Sequence, residues 1–178
     1  MNLSDDDFTL YGLPARQALD RDALDARRRD LQARVHPDRF ASEGAAAQRV
    51  AMQWAVRVNE AYQRLKDPLS RAAYLCEQRG VPIDAERNTA MSAEFLMQQM
   101  QWREALDDAA DTADGTAVQA LQTQVERDQA AMFADVARLL DDENDAVAAA
   151  AQVRALMFVA RFQRDVDQRL DALDAPVH

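Results

Sequence analysis

The chain has 178 residues and a formal net charge of −10, and its 31 acidic side chains against 21 basic ones disfavour binding to nucleic acid. Apolar residues make up 48% of it and only 4 glycines and 5 prolines occur, so we expect an all-α protein of one domain or two small ones. A single cysteine, Cys76, and two histidines, His36 and His178, exclude a disulfide framework and a cysteine-ligated metal site, and make an enzyme the weaker hypothesis.

No membrane segment or targeting signal is expected. The longest apolar runs fall well short of the ~20 residues that cross a bilayer. The start of the chain, MNLSDDDFTL, is acidic, whereas a signal peptide begins with basic residues and continues with apolar ones. We therefore expect a cytoplasmic protein that does not bind membranes.

The amino-terminal part of the chain predicts a short helix at residues 8–12 and then a helical hairpin. The first helix of the hairpin spans residues 20–35, has a core-facing stripe of Leu24, Leu31 and Val35, and must end before Pro37. The second spans residues 45–66, ends before Pro68, and carries a stripe of Val50, Trp54, Val58, Ala61, Tyr62 and Leu65. Antiparallel packing of the two stripes makes His36-Pro37-Asp38 the exposed tip of the hairpin.

Charge is distributed unevenly along the chain. Up to Arg103 there are 15 basic and 15 acidic residues, whereas after it 6 basic residues stand against 16 acidic ones. Residues 21–39 contain six arginines and four aspartates, which gives a small basic patch on an acidic protein. Such a patch would attract an acidic protein partner. The cluster is equally consistent with a helix face that only contacts solvent.

The carboxy-terminal part predicts a three-helix bundle over residues 91–178, with helices at about 91–108, 116–142 and 146–173. Residues 76–90, which include Gly80 and Pro82, form a connector. Because residues 69–76 are largely apolar, we expect them to pack between the two halves, to bury Cys76 as an inert thiol and to fix the interdomain angle.

The first helix of the bundle has two apolar stripes. Phe95, Trp102 and Leu106 suffice to face the bundle, yet Leu96, Met97 and Met100 lie on another side of the same helix. Three helices make only a small core, so the second stripe favours a surface for a partner, to whose shape methionines adapt readily. The alternative is that these residues pack into the core or against the hairpin.

Residues 1–75 resemble a J-domain. The resemblance rests on FTLYGLP, on the arginine-rich helix that ends in His36-Pro37-Asp38, and on VNEAYQRLKDPLSRAAYL. It implies binding to an Hsp70-class chaperone and stimulation of its ATPase, through the tripeptide and the helix arginines Arg27, Arg28, Arg29 and Arg34. Many J-domains have an aromatic residue at the position of Arg28. Asp38 is suited to accept charge-assisted hydrogen bonds, and His36 to pair with the last carbonyls of its helix.

The whole chain resembles the HscB family, the J-type co-chaperones of bacterial iron–sulfur cluster assembly. FTLYGLPAR, HPDRFAS, DPLSRAAYL and FLMQQMQWREALD carry this resemblance. It implies that the bundle binds an IscU-type scaffold and the J-domain an HscA-type Hsp70. The scaffold-binding residues would be Leu96, Met97, Met100, Gln101, Glu104 and Phe158; the family often has leucine and glutamate in place of Met100 and Gln101. One cysteine cannot hold a cluster, so no metal or other cofactor is expected.

Functions other than an HscB-type co-chaperone remain as alternatives. The nearest is a J-domain co-chaperone for a different client, followed by a helical scaffold without a chaperone role. Nucleic-acid binding would need a larger basic surface. An enzyme could use His36 and Asp38 as an acid–base pair, but the sequence implies no pocket around them.

Overall fold

The structure is a computed structural model that describes residues 2–40, 42–84 and 91–174, with only the backbone described at Asp174. Within these ranges the chain forms helices, turns and irregular segments but no strand. The helices are α1 (Asp7–Tyr11), α2 (Arg21–Val35), a 3₁₀ turn (Pro37–Phe40), α3 (Ala45–Lys66), α4 (Pro68–Gln78), α5 (Ala93–Asp111), α6 (Gly115–Asp141) and α7 (Ala146–Asp174).

Polar side chains mark the helix starts. Asp20 accepts hydrogen bonds from the first turn of α2, Ser92 from that of α5 and Asp114 from that of α6. Each such cap satisfies a backbone N–H that the helix itself leaves free and stabilises the helix by about 1 kcal/mol. These caps place the helix boundaries within two or three residues of the predicted ones.

The predicted helical hairpin is present, because the stripe of α2 lies in one buried cluster with Val58, Ala61, Tyr62 and Leu65 of α3. Leu24 and Val58 are both fully buried, and the Tyr11 hydroxyl donates a hydrogen bond of 2.8 Å to the Val58 carbonyl. Val50 differs from the prediction, since half of its surface is exposed. The first turns of α3 lie against the 3₁₀ turn, and Val50 lines an open groove there with Val35 and Phe40.

Helix α4 is an element that the sequence analysis did not anticipate. Pro68 was expected only to end the preceding helix, but it also occupies the first turn of α4, where its missing N–H costs nothing. The Asp67 carboxylate accepts a hydrogen bond of 2.7 Å from the Ser70 N–H and so caps this helix. Residues 76–78 of the expected connector are therefore helical, residues 79–84 are not, and residues 85–90 lie outside the described residues.

Two clusters of buried side chains make up the core. The first joins α1 to α4 with the adjoining ends of α6 and α7, and includes Tyr62, Leu75, Cys76, Val136, Leu140, Val153 and Leu156. The second lies among α5, α6 and α7, and includes Phe95, Trp102, Val118, Val125, Val159, Phe162 and Val166. Helix α7 runs through both clusters, and α5 completes the predicted three-helix bundle at the second.

The first cluster confirms the predicted packing of residues 69–76 between the two halves. Leu75 and Cys76 are almost completely buried, and burial raises the pKa of the Cys76 thiol to about 11. The thiol is therefore protonated and unreactive at neutral pH, as expected.

Hydrogen bonds between distant parts of the chain fix the two halves in one arrangement. The Asp141 carboxylate, at the end of α6, accepts from the backbone N–H groups of Gln17 at 2.7 Å and Ala18 at 2.8 Å. The Arg79 guanidinium donates to the Leu140 carbonyl at 2.6 Å. With a shared apolar core behind them, these contacts make the interdomain angle a fixed property of the fold.

Candidate functional site

The tip of the hairpin is an exposed turn that begins where α2 ends. The side chains of His36 and Asp38 are 59% and 89% exposed. The Asp38 N–H donates a hydrogen bond of 3.3 Å to Nδ1 of His36, which also lies 3.5 Å from Oδ2 of Asp38. Pro37 starts the 3₁₀ turn between them. The Asp38 carboxylate is thus held on a short, well-defined turn and is open to a partner.

The Arg39 guanidinium, rather than His36, donates to a carbonyl in the last turn of α2. The Arg39 guanidinium donates to the Ala33 carbonyl at 2.9 Å, and the Arg39 N–H donates to the His36 carbonyl at 3.0 Å. The expected pairing of His36 with these carbonyls is not found among the described residues, where its Nδ1 accepts the hydrogen bond from the Asp38 N–H.

The exposed arginines of α2 do not form a single face. Arg27 and Arg34 are seven residues apart, so they lie on the same side of the helix, where both line a groove of about 550 Å³ between α1 and α2. Arg29 lies about 200° around the helix from Arg27. None of the three forms an ion pair with a carboxylate among the described residues. The structure thus brings Arg27 and Arg34 together and leaves Arg29 on another side.

Arg28 is turned towards the core, whereas the resemblance implied that it contacts the chaperone from the exposed side of α2. Its guanidinium carbon lies 3.9 Å from the centroid of the Tyr62 ring, and the residue is half-buried. The Tyr62 hydroxyl is fixed in turn, because it donates to Asp25 at 2.8 Å. A planar guanidinium stacked on an aromatic ring packs as an aromatic side chain would. Arg28 therefore joins the hairpin core at a position where J-domains often have an aromatic residue.

An apolar groove beside the tip is a feature that the sequence analysis missed. It has a volume of about 460 Å³ and is lined by Val35, Phe40, Val50 and Trp54 among others. Of these, Trp54 is half-buried and packs against the first core cluster, as its place in the predicted stripe requires, whereas Val50 is exposed. The available signal was Phe40, an aromatic residue that follows the tripeptide outside the predicted helices.

The second apolar stripe of α5 is exposed, as predicted. Phe95 and Trp102 are buried in the bundle, whereas the exposed fractions of Leu96, Met97 and Met100 are 48%, 59% and 71%. This excludes the alternative that these three residues pack into the core or against the hairpin. Together with the exposed Gln101 and Glu104, they form what we term the α5 face.

Phe158 lies at the edge of the α5 face rather than within it. It is half-buried on α7 and lines a groove together with Gln99 and Arg103 of α5. Because Arg103 follows Leu96 by seven residues, this groove borders the Leu96 side of the α5 face. The structure therefore places the six predicted residues on one continuous side of the bundle.

Two features are absent from the described ranges. None of their helices is long and apolar enough to cross a membrane. No set of three or more histidine, cysteine, aspartate or glutamate side chains in them is arranged to hold a metal ion.

Comparison with known proteins identifies the family. The family model described as "HSCB C-terminal oligomerisation domain" matches residues 91–167. The chain is 49% identical to the "Co-chaperone protein HscB homolog" of Burkholderia mallei (strain SAVP1), over 98% of this chain and 99% of the relative. It is 47% identical to the protein of the same name from Paraburkholderia xenovorans (strain LB400), over 97% of this chain and 98% of the relative.

Two solved structures have the same architecture. The structure of chaperone HscB from Vibrio cholerae matches with a TM-score of 0.81 and 36% identity, over 95% of this chain and 99% of that one. The crystal structure of human co-chaperone protein HscB matches with a TM-score of 0.86 over 94% of this chain and 83% of that one; at 23% identity it supports the fold alone.

These findings confirm the predicted fold class, an amino-terminal J-domain followed by a carboxy-terminal helical domain. With identity near one half over almost the full length of its relatives, the chain belongs to the HscB family of co-chaperones.

Proposed function

We propose that this protein binds an IscU-type iron–sulfur scaffold, delivers it to an HscA-type Hsp70 chaperone in the cytoplasm, and stimulates the ATPase of that chaperone. It would act as an adaptor rather than as an enzyme. The observation that carries the proposal is that two exposed surfaces of different chemistry, the tip and the α5 face, belong to one rigid molecule. The tip is built on the first core cluster and the α5 face on the second.

The tip and the adjoining side of α2 have the chemistry to bind the chaperone. Asp38 offers an exposed carboxylate that an arginine of the partner can bind through charge-assisted hydrogen bonds. Arg27 and Arg34, with no ion pair to the described carboxylates, can meet acidic groups on the same partner, and Arg29 can do so on a neighbouring side. Arg28 would support this surface from within by its stack on Tyr62.

The α5 face has the chemistry to bind a folded protein scaffold. Three neighbouring apolar side chains remain more than 45% exposed, and a contiguous exposed apolar patch is typical of a surface that binds another protein. Two of them are methionines, whose unbranched side chains adapt to an irregular surface. Gln101 and Glu104 provide a polar rim, and Phe158 extends the surface onto α7.

A fixed connection between the two surfaces lets the adaptor bring scaffold and chaperone together. Once the α5 face holds the scaffold, docking of the tip makes the encounter of scaffold and chaperone intramolecular, which raises their effective concentration. Because hydrolysis is triggered at the same time, the chaperone would close on the scaffold that is presented to it. Release of the cluster from that scaffold would follow, without any iron bound by the adaptor.

Binding of purified IscU to the full chain, measured by isothermal titration calorimetry, tests the scaffold half of this proposal. The double variant Leu96→Ala/Met100→Ala should weaken binding by at least about tenfold, since central apolar contacts dominate interface energies. Val147→Ala is the matched control, because Val147 is 69% exposed but lies at the start of α7 beside the first core cluster. It should bind as the wild type does.

Two results would contradict the assignment. Equal affinity of the double variant and the wild type would exclude the α5 face as the scaffold-binding surface. No binding of IscU by the wild type, combined with stimulation of the chaperone ATPase, would favour a J-domain co-chaperone for a different client.

A further inference from the structure

A groove between α5 and α7 lies next to the α5 face and is left open by the packing of the bundle. Its volume is about 420 Å³, and Phe158 and Phe162 form its apolar floor. Phe162 is fixed from beneath by a stacked contact with Trp102, at 5.7 Å between ring centroids. The groove therefore has a rigid apolar base.

Arginines surround this groove on both helices. Arg103 on α5 and Arg161 and Arg164 on α7 line it, and Arg169 lines its continuation past Leu106. All four side chains are exposed. The positive charge of this groove is opposite in sign to the net charge of the chain after Arg103, which has 16 acidic residues and only 6 basic ones.

These arginines have no salt bridge within the described part of the chain. Two carboxylates, Asp107 and Asp165, also line the groove, yet neither lies within the 4.0 Å that defines an ion pair with any of the four guanidinium groups. Arg138 of α6, in contrast, pairs with Asp135 and Glu143. Four guanidinium groups against two carboxylates give the groove a net positive charge.

The groove is continuous with the α5 face. Leu96, Met100 and Arg103 follow one another at spacings of four and three, which places them along a single line on α5. Any partner that covers Leu96 and Met100 therefore also approaches the edge of the groove.

We propose that the groove binds an acidic segment of the scaffold that docks on the α5 face, with its carboxylates paired to Arg103, Arg161, Arg164 and Arg169. This inference rests on the proposed function and adds a second, electrostatic part to the scaffold-binding surface. Guanidinium groups bind carboxylates in bidentate geometry, and the apolar floor suits the aliphatic portion of a glutamate or a flanking apolar residue. A nucleic acid would be repelled by the net charge of −10 on the whole protein.

Calorimetric titration of IscU against charge-reversed full-length variants tests the proposal. Arg164→Glu should raise the dissociation constant by roughly fivefold at low salt, the effect of replacing one exposed attraction by a repulsion. Arg164→Lys keeps the charge and should bind within about twofold of the wild type. The matched control is Arg49→Glu, since Arg49 is also exposed but lies on α3 in the J-domain.

Salt dependence gives an independent readout. Raising the salt concentration from about 50 to about 300 mM should weaken the binding of wild type and Arg49→Glu, and weaken that of Arg164→Glu less. The midpoint of thermal unfolding should be unchanged in all variants, because these exposed arginines make no ion pair with any described side chain.

The failures can be told apart. If Arg164→Glu binds IscU with wild-type affinity and salt dependence while Leu96→Ala/Met100→Ala binds weakly, the groove proposal is wrong and the proposed function stands. If the wild type does not bind IscU at all, the proposed function fails and the groove proposal with it. If Arg164→Glu changes only the self-association seen in sedimentation velocity, the groove binds a second copy of this chain, which also overturns the proposal.

Discussion

Replacing Asp141 with alanine should destabilise the protein and loosen the contact between its two halves. The Asp141 side chain is 3% exposed and accepts hydrogen bonds from the backbone N–H groups of Gln17 and Ala18 in the loop between α1 and α2. These two bonds connect the J-domain to the end of α6. No other acceptor among the described residues bonds either N–H.

The expected loss of stability follows from the hydrogen bond that each of the two N–H groups loses. A hydrogen bond from a backbone N–H to a carboxylate contributes about 1.5–3 kcal/mol. Gln17 is only 4% exposed, so its N–H would stay unpaired, whereas water can reach that of Ala18. An aspartate at the end of a helix is disfavoured by the helix dipole, and its removal returns roughly 0.5 kcal/mol. The net loss of stability should be about 2–3 kcal/mol.

Urea unfolding followed by circular dichroism measures this loss. With a slope of about 2–3 kcal/mol per molar urea, the midpoint should fall by roughly 1 M. Asp142→Ala is the matched control, because the Asp142 side chain is 68% exposed and its ion pair with Arg16 spans 3.8 Å. The control should lie within about 0.2 M of the wild type. A midpoint for Asp141→Ala as close as that would refute the idea that this carboxylate fixes the two halves together.

Other predictions follow from buried polar groups. Because burial raises the pKa of the Cys76 thiol from 9.0 to about 11, the thiol ionises more easily in the unfolded chain. The free energy of unfolding should therefore be unaffected by this group below about pH 9 and decrease as the pH rises towards 11. Urea midpoints measured across this pH range check this, and the Cys76→Ala variant should lack this pH-dependent loss of stability. Tyr11→Phe removes the hydrogen bond to the Val58 carbonyl and should cost about 1 kcal/mol in the same assay; an unchanged midpoint would contradict the burial of that hydroxyl. Arg28→Ala should lower the thermal midpoint through loss of its packing on Tyr62, whereas Arg27→Ala should not; equal midpoints would show that the stack contributes nothing.

Local signals in the sequence predicted most of the helices. The prolines at 37 and 68, together with the apolar spacing, located the ends of α2 and α3 to within a residue. Helix α4 was missed because Pro68 both follows one helix and begins the next, and only the cap from Asp67 distinguishes the second role. Sequence periodicity alone cannot separate a short apolar helix from a packed irregular connector.

The candidate surfaces were predictable where they depend on one helix and not where they depend on two. Seven-residue spacing sufficed to separate Leu96 from Phe95 on α5, and the structure keeps that separation. The groove with Arg103 and Arg161 depends on how α5 is rotated against α7, and the contact of Asp141 with Gln17 joins residues 124 positions apart. Both depend on tertiary packing, which no local pattern specifies.

The inward position of Arg28 also depends on tertiary packing. A run of three arginines indicates a solvated basic face, yet the helix turns each member by about 100°, so one of them must point differently from its neighbours. Tyr62 on α3 supplies the ring that makes the buried position favourable.

We propose that one rigid molecule binds the chaperone through the tip and the scaffold through the α5 face. Steady-state ATP hydrolysis by an HscA-type chaperone tests it most directly, with this protein and IscU added singly and together. The Asp38→Asn and Leu96→Ala/Met100→Ala variants are measured beside the wild type. Both alter exposed side chains and should leave the unfolding midpoint unchanged.

Hydrolysis should rise more with both proteins present than by the sum of their separate effects. Asp38→Asn should abolish stimulation by this protein. Leu96→Ala/Met100→Ala should stimulate hydrolysis alone but lose the extra rise with IscU. The two-surface adaptor is excluded if the wild type stimulates hydrolysis to the same extent with and without IscU. It is equally excluded if Asp38→Asn stimulates hydrolysis as well as the wild type does.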